Sequence, residues 1–177
     1  MGIIRRILRQ ETTSDVLDVL KSHHDRVDEL FAQIEKGHQR DAAFTELADL
    51  LAAHATVEEK IFYPSVMTKD TTDQLHESVE EHLGVKRLLA DLIVNRVDEA
   101  TFKAKMSVLK EQVAHHAHEE EEDELFPKVK SMLSADERAA IGNEVLAMFE
   151  ELIVKHPMNN VASETAEAAR FRRRSAR

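Results

Sequence analysis

The stretch that decides the fold is His54-Ala55-Thr56-Val57-Glu58-Glu59-Lys60-Ile61-Phe62-Tyr63-Pro64. Around it, core-type positions recur at alternating steps of three and four residues, which predicts the buried side of an amphipathic helix. This series is Phe44, Leu47, Leu51, His54, Glu58 and Ile61. A histidine and a glutamate therefore occupy core positions. Because an unpaired charge in a core is costly, something must compensate the carboxylate, and a bound metal ion is the simplest candidate.

Four other segments show the same helical period, so five helices are expected. Cap residues at 12–15 precede the first of them, and few glycines or prolines interrupt the chain. The series are Leu17, Leu20, His24, Val27, Phe31 and Ile34; Leu75, Val79, His82, Val85, Leu89 and Leu92; Phe102, Met106, Leu109, Val113, His116 and Glu120; and Ile141, Val145, Met148 and Leu152.

The polar members of these series form an internal repeat. A single histidine and then a His-x-x-x-Glu pair occur twice, once in each helical hairpin; the six residues are His24, His54, Glu58, His82, His116 and Glu120. Two similar hairpins with short connections predict an all-α fold, an up-down-up-down four-helix bundle with an additional C-terminal helix. The six polar side chains would then meet in the middle of the bundle.

The two halves of the repeat differ in register. Glu58 lies six residues before Pro64, whereas Glu120 lies seven residues before Pro127, so counting from the prolines would select Glu121. The helical period favours Glu120, because it lies one turn after the histidine of its own helix. The extra residue is then expected after the site, as a bulge or a shifted last turn. The alternatives are Glu121 and Glu122.

Each His-x-x-x-Glu pair offers an imidazole and a carboxylate to the same small volume, because residues i and i+4 share a helix face. Four imidazoles and two carboxylates can hold two divalent ions, with the carboxylates bridging and one or two positions open for water, oxygen or peroxide. Nitrogen and oxygen ligands suit iron, manganese, cobalt or zinc. Open positions distinguish a reactive site from a structural one.

The remaining polar residues near these series are expected to lie outside the site. Glu59 is expected to be exposed, and Tyr63 either packs in the core, which is favoured, or donates a hydrogen bond to the ligands. The histidines expected on the surface are His23, His38, His76, His115, His118 and His156.

The composition limits the classes of function. The chain carries 24 basic and 34 acidic residues, a net charge of −10, which counts against nucleic-acid binding. The absence of cysteine excludes disulfides, thiolate metal sites and iron–sulfur clusters. No stretch approaches the roughly 20 apolar residues of a membrane span, and a cytoplasmic protein is expected.

Three regions are expected along the chain. Residues 1–11 form a basic amphipathic segment, residues 12–155 form the bundle with its fifth helix, and residues 156–177 form a flexible basic tail. The tail could contact a protein partner.

Four phrases resemble the hemerythrin-like, or HHE cation-binding, domain family. They are Leu20–Phe31, His54–Pro64, Glu81-His82 with the residues that follow, and His115–Pro127. The resemblance implies a four-helix bundle with a non-haem di-iron centre, in proteins that bind oxygen, react with nitric oxide or peroxide, or sense and handle iron. By position it implies two iron ions (Fe2+/Fe3+), with an oxo or hydroxo bridge as one form, on the ligands His24, His54, Glu58, His82, His116 and Glu120.

One departure from the family concerns the third helix. Oxygen-carrying members have a further histidine one turn from His82, where this chain has Ser78 and Lys86. One iron would be less crowded, which favours a site where small oxidants react over reversible oxygen carriage.

Three functions compete on this basis. The leading hypothesis is a di-iron protein that binds or reacts with oxygen, nitric oxide or hydrogen peroxide. Consumption of peroxide or nitric oxide would make it an enzyme, with no acid or base evident beyond the metal ligands. The alternative is an iron-handling or iron- and oxygen-sensing module whose metal occupancy controls a partner contact through the fifth helix or tail. A structural zinc bundle is the third and weakest.

Overall fold

The computed structural model describes residues 14–37, 39–94 and 99–171, and the predicted N-terminal segment 1–11 lies outside them. Within the described residues the regular structure is helical, with no strand. Helix α1 spans Val16–Glu35. Helix α2 begins as Arg40–Val57, passes through a π-helical segment, Glu58–Phe62, and ends as Tyr63–Val66. Helix α3 spans Thr72–Val94. Helix α4 begins as Glu99–Ala114, passes through a second π-helical segment, His115–Leu125, and ends as Phe126–Met132. Helix α5 spans Ala135–Val154, and a 3₁₀-helix spans Pro157–Glu164.

Helices α1 to α4 form an up-down-up-down bundle, as the sequence predicts. Helix α1 packs on α2 and α3 packs on α4, while ion pairs join α1 to α4 at both ends. Lys21 pairs with Glu122 near the start of α1, and Glu35 pairs with Lys110 near its end, so these two helices are antiparallel. The prediction of an all-α bundle with an additional C-terminal helix is confirmed.

The ends of α1 follow from local sequence. Asp15 caps the helix, because its carboxylate accepts a hydrogen bond of 3.1 Å from the backbone N–H of Leu17. Gly37 ends the helix with a φ of +71°, a left-handed conformation that glycine adopts without strain. Between these ends, the predicted apolar face is buried against α2.

Helix α5 packs across α1 and α2 on the outside of the bundle. It begins with a complete capping box, in which Ser134 and Glu137 satisfy one another's backbone N–H groups. Where α5 crosses the start of α1, Gly142 allows a close approach: a Cβ atom there would lie 1.6 Å from the backbone oxygen of Ser14. Further along α5, the buried ring of Phe149 reaches the first hairpin.

The chain after α5 returns to the bundle. The 3₁₀-helix packs on α2 and α3, with Val161 buried between them. Asp49 of α2 accepts hydrogen bonds from the backbone N–H of Met158 at 3.1 Å and from His156 Nδ1 at 2.8 Å. The described part of the segment expected to be a flexible tail is therefore docked on the bundle. Among the described helices, none combines the length and apolar character that a membrane crossing requires.

Candidate metal centre

Five of the six predicted side chains converge in the middle of the bundle. Helix α1 supplies one of them, α2 two, and α3 and α4 one each; all are buried. They are His24, His54, Glu58, His82 and His116.

The structure places Glu120 outside this cluster, in a partly exposed group of possible ligands with Glu81 and His116. Its side chain is 17% exposed and lies on the other side of His116, with Oε2 3.7 Å from His116 Nδ1. Glu121 takes the central place instead. It is 1% exposed, and its Oε2 lies 3.3 Å from His24 Nε2 and 4.0 Å from His116 Nε2.

The π-helical segment of α4 explains this change of residue. A π-helix bonds residue i to i+5, so the side chain five positions after a histidine can lie beneath it. In α4 the segment begins at the ligand pair, so His116 faces Glu121. In α2 it begins only at Glu58, which keeps the ordinary spacing of four from His54. The extra residue therefore falls within the site. The sequence pattern had predicted it after the site.

The cluster consists of two donor groups that share one carboxylate. The first donor group is His24, His54, Glu58 and Glu121, and the second donor group is Glu58, His82 and His116. Within each group the donor atoms lie within 4.8 Å of one another. Glu58 Oε1 is 3.1 Å from His54 Nε2, and Oε2 is 3.3 Å from His82 Nε2. Glu58 thus presents one oxygen to each group.

The spacing of the donors fits bound metal ions. Neighbouring ligand atoms around an ion with bonds of about 2.0–2.2 Å are about 3 Å apart. The two imidazole nitrogens are 3.2 Å apart in the first donor group and 3.0 Å apart in the second. Among the described residues, the carboxylate oxygens that are buried without a hydrogen-bond partner are Glu58 Oε1, Glu120 Oε2 and Glu121 Oε2. Such an oxygen is costly to bury, and a cation between the donor atoms would satisfy those of Glu58 and Glu121.

Three of the four imidazoles are held from behind by a carboxylate. In each case the Nδ1 atom contacts the carboxylate while Nε2 faces the cluster, an arrangement that fixes the ring and its tautomer in metal sites. The pairs are His24 with Glu122 at 2.9 Å, His82 with Glu59 at 3.1 Å, and His116 with Glu81 at 2.7 Å.

The fourth imidazole, His54, is held by another histidine. Its Nδ1 lies 3.3 Å from Nδ1 of His23, whose ring stacks on Phe149 of α5 with centroids 4.1 Å apart. Burial, followed by the neighbouring His54 and His24, lowers the pKa of His23 well below its ordinary value. The prediction of a surface position for His23 is wrong, because α5 covers that side of α1.

Glu59 is also misplaced by the sequence analysis. It was expected to be exposed, but its side chain is only 10% exposed and contacts both His82 and Lys86. Lys86 Nζ lies 3.0 Å from each carboxylate oxygen. Burial raises the pKa of Glu59, but these two neighbours outweigh it and leave the pKa lowered. His82 and Lys86 together thus keep the carboxylate of Glu59 ionised.

Tyr63 makes the polar contact that the sequence analysis ranked second to core packing. Its hydroxyl donates to Glu121 Oε1 at 2.9 Å and lies 3.3 Å from His116 Nε2 and 3.4 Å from His82 Nε2. Burial and the nearby carboxylates of Glu121 and Glu58 raise its pKa well above the ordinary value. The phenol therefore stays protonated, and Glu121 Oε2 is left facing His24.

Three of the other histidines that were predicted to be exposed are exposed in the structure; they are His76, His115 and His156. His118 is half-buried and lies between Asp28 and Glu122, at 3.0 and 3.1 Å. His38 lies outside the described residues.

The charges of the cluster are balanced by proton sharing. Burial opposes a charge on His24, but Glu121 and Glu122 outweigh it and raise its pKa to about 9. The hydrogen bond from His24 in turn lowers the pKa of Glu122 to about 2. Burial alone would raise the pKa of Glu58, yet His54 and His82 hold it well below its ordinary value. A metal ion would therefore compete with protons for the imidazoles.

A cavity of about 30 Å³ lies beside the imidazoles. Its apolar wall comes from all four bundle helices, with Val27, Leu51, Val85 and Val113. Asp28 and His118 are its more exposed lining residues. About 10–15 Å³ is enough to hold one water molecule, so the cavity has room for a molecule of a few atoms. A diatomic molecule or a peroxide is of this size class.

Comparison with known proteins agrees with this arrangement. The family model described as the hemerythrin HHE cation binding domain matches residues 15–129. The chain belongs to the hemerythrin HHE cation-binding domain family. The resemblance found in the sequence is thereby confirmed, and the HHE bundle with its buried histidines and glutamates indicates metal binding.

One curated relative extends beyond this domain. A protein named DNA nickase, from Nostoc sp. strain PCC 7120, is 26% identical over 126 residues, which cover 70% of this chain. The match covers only 36% of that relative. No solved structure matches the chain.

Proposed function

We propose that this HHE protein holds two iron ions in the two donor groups and binds or reduces a small oxidant there. The observation that carries the proposal is Glu58, which presents one oxygen to each donor group from the centre of the bundle. A carboxylate in this position is suited to bridging a pair of ions. The proposed ligands are His24, His54, Glu58, His82, His116 and Glu121, with Glu121 in the place where the sequence analysis put Glu120.

The two donor groups are unequal, and the difference bears on reactivity. The first has four donor residues and the second has three. One turn from His82, Lys86 is paired with the carboxylate of Glu59, so it adds no ligand. The second group is therefore the better place for an open coordination position. This supports reaction with an oxidant over reversible oxygen carriage.

Iron bound there would supply electrons and an open coordination position. The protein's own residues define the shape of the cavity beside the donor groups and exclude water from it. The valine and leucine side chains around the cavity disfavour water and leave room for a small oxidant such as a diatomic molecule or a peroxide. Tyr63 holds Glu121 through Oε1, and the carboxylates behind the imidazoles keep Nε2 directed at the cluster.

Metal analysis of protein from iron-supplemented cells, together with its visible spectrum, tests this proposal. We expect two irons per chain, matching the two donor groups, and an absorption band that bleaches with dithionite and changes with azide or peroxide. The Glu58→Gln variant, which keeps the size of the side chain but removes its charge, should lose most of the metal. Zinc alone, or no metal and an unchanged spectrum, would contradict the proposal.

A second function is favoured by one observation, the stack of His23 on Phe149 of α5. It places a helix outside the four-helix bundle in contact with the residue behind His54. Metal occupancy could then be read by a partner that contacts α5 or the C-terminal region, as an iron sensor requires. The activity in the name of the Nostoc relative is not part of the proposal, because a net charge of −10 disfavours DNA.

A further inference from the structure

His54 differs from the other three imidazoles of the cluster in what lies behind it. The others contact a carboxylate, whereas His54 Nδ1 faces His23 Nδ1 at 3.3 Å. The other ring nitrogen of His23, Nε2, is buried and has no hydrogen-bond partner in the described part of the chain. A phenylalanine would fill the same space without burying a polar atom. Packing alone therefore does not account for a histidine at this position.

The geometry fixes how the hydrogens are arranged when an ion is bound. His54 Nε2 faces the cluster, 3.1 Å from Glu58 Oε1 and 3.2 Å from His24 Nε2. To bind an ion this nitrogen must carry no hydrogen, so the hydrogen of the neutral ring lies on Nδ1. His54 then donates to His23 Nδ1, and His23 carries its own hydrogen on Nε2. Ion binding thus sets the tautomers of both rings.

His23 is also the point where α5 meets the site. Its ring lies 4.1 Å from the ring of Phe149, nearly parallel at 21°, and both side chains are buried. Helix α5 packs on α1 and α2, the helices that carry His23 and His54. A displacement of α5 would therefore change the support of His54 through His23.

We propose that His23 is a positioning residue that holds His54 in its ion-binding tautomer and couples the first donor group to the docking of α5. The proposal rests on the proposed function, because it requires that the first donor group binds an ion. Coupling between two sites is reciprocal. If docked α5 strengthens ion binding, ion binding must stabilise the docking of α5 by the same factor. Ion binding at the second donor group should have little effect on this docking.

Two substitutions separate the hydrogen bond from the packing. His23→Phe keeps a ring against Phe149 but removes the acceptor for His54. His23→Asn loses the ring but places an amide oxygen near the position of Nδ1. His76→Phe, at an exposed histidine of α3, is the matched control.

Titration with Co2+, followed by calorimetry and visible absorption, gives the affinity of each binding step. Loss of a residue behind a metal ligand typically weakens binding about 10–100-fold. We expect His23→Phe to weaken one step by this factor and leave the other close to wild type. His23→Asn should recover most of the loss, and His76→Phe should match wild type. Nitrogen-15 spectra of the zinc-loaded wild type should show His23 protonated at Nε2 and His54 at Nδ1.

Hydrogen exchange of the α5 amides tests the coupling. In wild type, Co2+ should slow exchange in α5, and in His23→Phe this protection should be largely lost. Two normal binding steps in both His23 variants, with the same α5 protection, would overturn the inference while leaving the metal site intact. Failure of the wild type to bind Co2+ would instead remove the proposed function. If His23→Phe does not fold, Phe149→Leu replaces it. This variant is expected to reduce the protection of the α5 amides and to weaken the same Co2+ binding step.

Discussion

The two donor groups come from one repeated pattern, but the fold places them in different surroundings. Behind the second donor group stand two carboxylates, Glu59 and Glu81; behind the first stand one carboxylate, Glu122, and the histidine His23. The cause is the fifth helix, which packs on α1 and α2 of the first hairpin. The repeat in the sequence therefore brings together most of the proposed ligands, while a helix outside the repeat changes how one of them, His54, is supported.

The largest expected effect is the loss of metal on substitution of Glu121, in contrast to its neighbour Glu120. We expect Glu121→Gln to lose the ion of the first donor group, because the change removes a central charge and leaves a buried amide facing His24. Glu120→Gln, one residue earlier and partly exposed, should retain wild-type metal content. Elemental analysis of the two purified variants decides between them. The reverse result would restore the i+4 spacing and exclude the proposed ligand set.

Displacing α5 should weaken the first donor group more than the second. In Gly142→Ala the new Cβ would overlap the backbone at Ser14, and overpacking of this kind costs about 1–3 kcal/mol of unfolding free energy. Urea denaturation of the metal-free protein measures this loss, and Co2+ titration measures the effect on each binding step.

Gly84→Ala is the matched control for that experiment. Its Cβ would lie an ordinary 3.6 Å from Gln112 Oε1. Alanine is favoured over glycine within a helix by up to about 1 kcal/mol, so this variant should be as stable as wild type or more so. Equal weakening of both binding steps in Gly142→Ala would show that α5 supports the whole bundle and not one donor group.

Removing the carboxylate behind His116 should affect the second donor group. We expect Glu81→Gln to weaken one Co2+ binding step about 10–100-fold, the usual effect of losing such a partner. This binding step should differ from the one that is weakened in His23→Phe. A double variant that carries both substitutions should therefore show two weakened binding steps. Glu80→Gln, exposed on the same helix, should bind both ions normally.

The smallest expected effect concerns the start of α5. Ser134→Ala removes the cap and should lower the unfolding free energy by about 1 kcal/mol. The backbone N–H and the hydroxyl of Ser134 lower the pKa of Glu137. The ionised carboxylate of Glu137 therefore stabilises the fold above the ordinary pKa of glutamate, and this stabilisation is lost as the pH falls through the lowered pKa. Thermal melts should therefore differ less between variant and wild type near pH 3 than at pH 7, and a constant difference would contradict the role of the carboxylate.

The helical period predicts most of the fold and five of the six proposed ligands, because burial of a helix face leaves a regular trace in the sequence. It favours Glu120, because that period assumes about 3.6 residues per turn, whereas α4 is π-helical there and turns Glu121 towards His24. The spacing from Pro127 was the one signal for Glu121. His23 and Glu59 could not be placed in this way, because α5 and Lys86 bury them from other parts of the chain.

An extra residue inside a helix turns every later side chain by about 100°, so aligning the two hairpins of this chain requires a gap within α4. With the gap placed there, Glu121 aligns with Glu58, and Phe126 aligns with Tyr63. The second hairpin then has a ring without a hydroxyl where the first has a phenol. Tyr63 lies 2.9 Å from Glu121 and 3.5 Å from Glu58, so a single hydroxyl breaks the two-fold symmetry of the repeat while contacting the carboxylates of both halves.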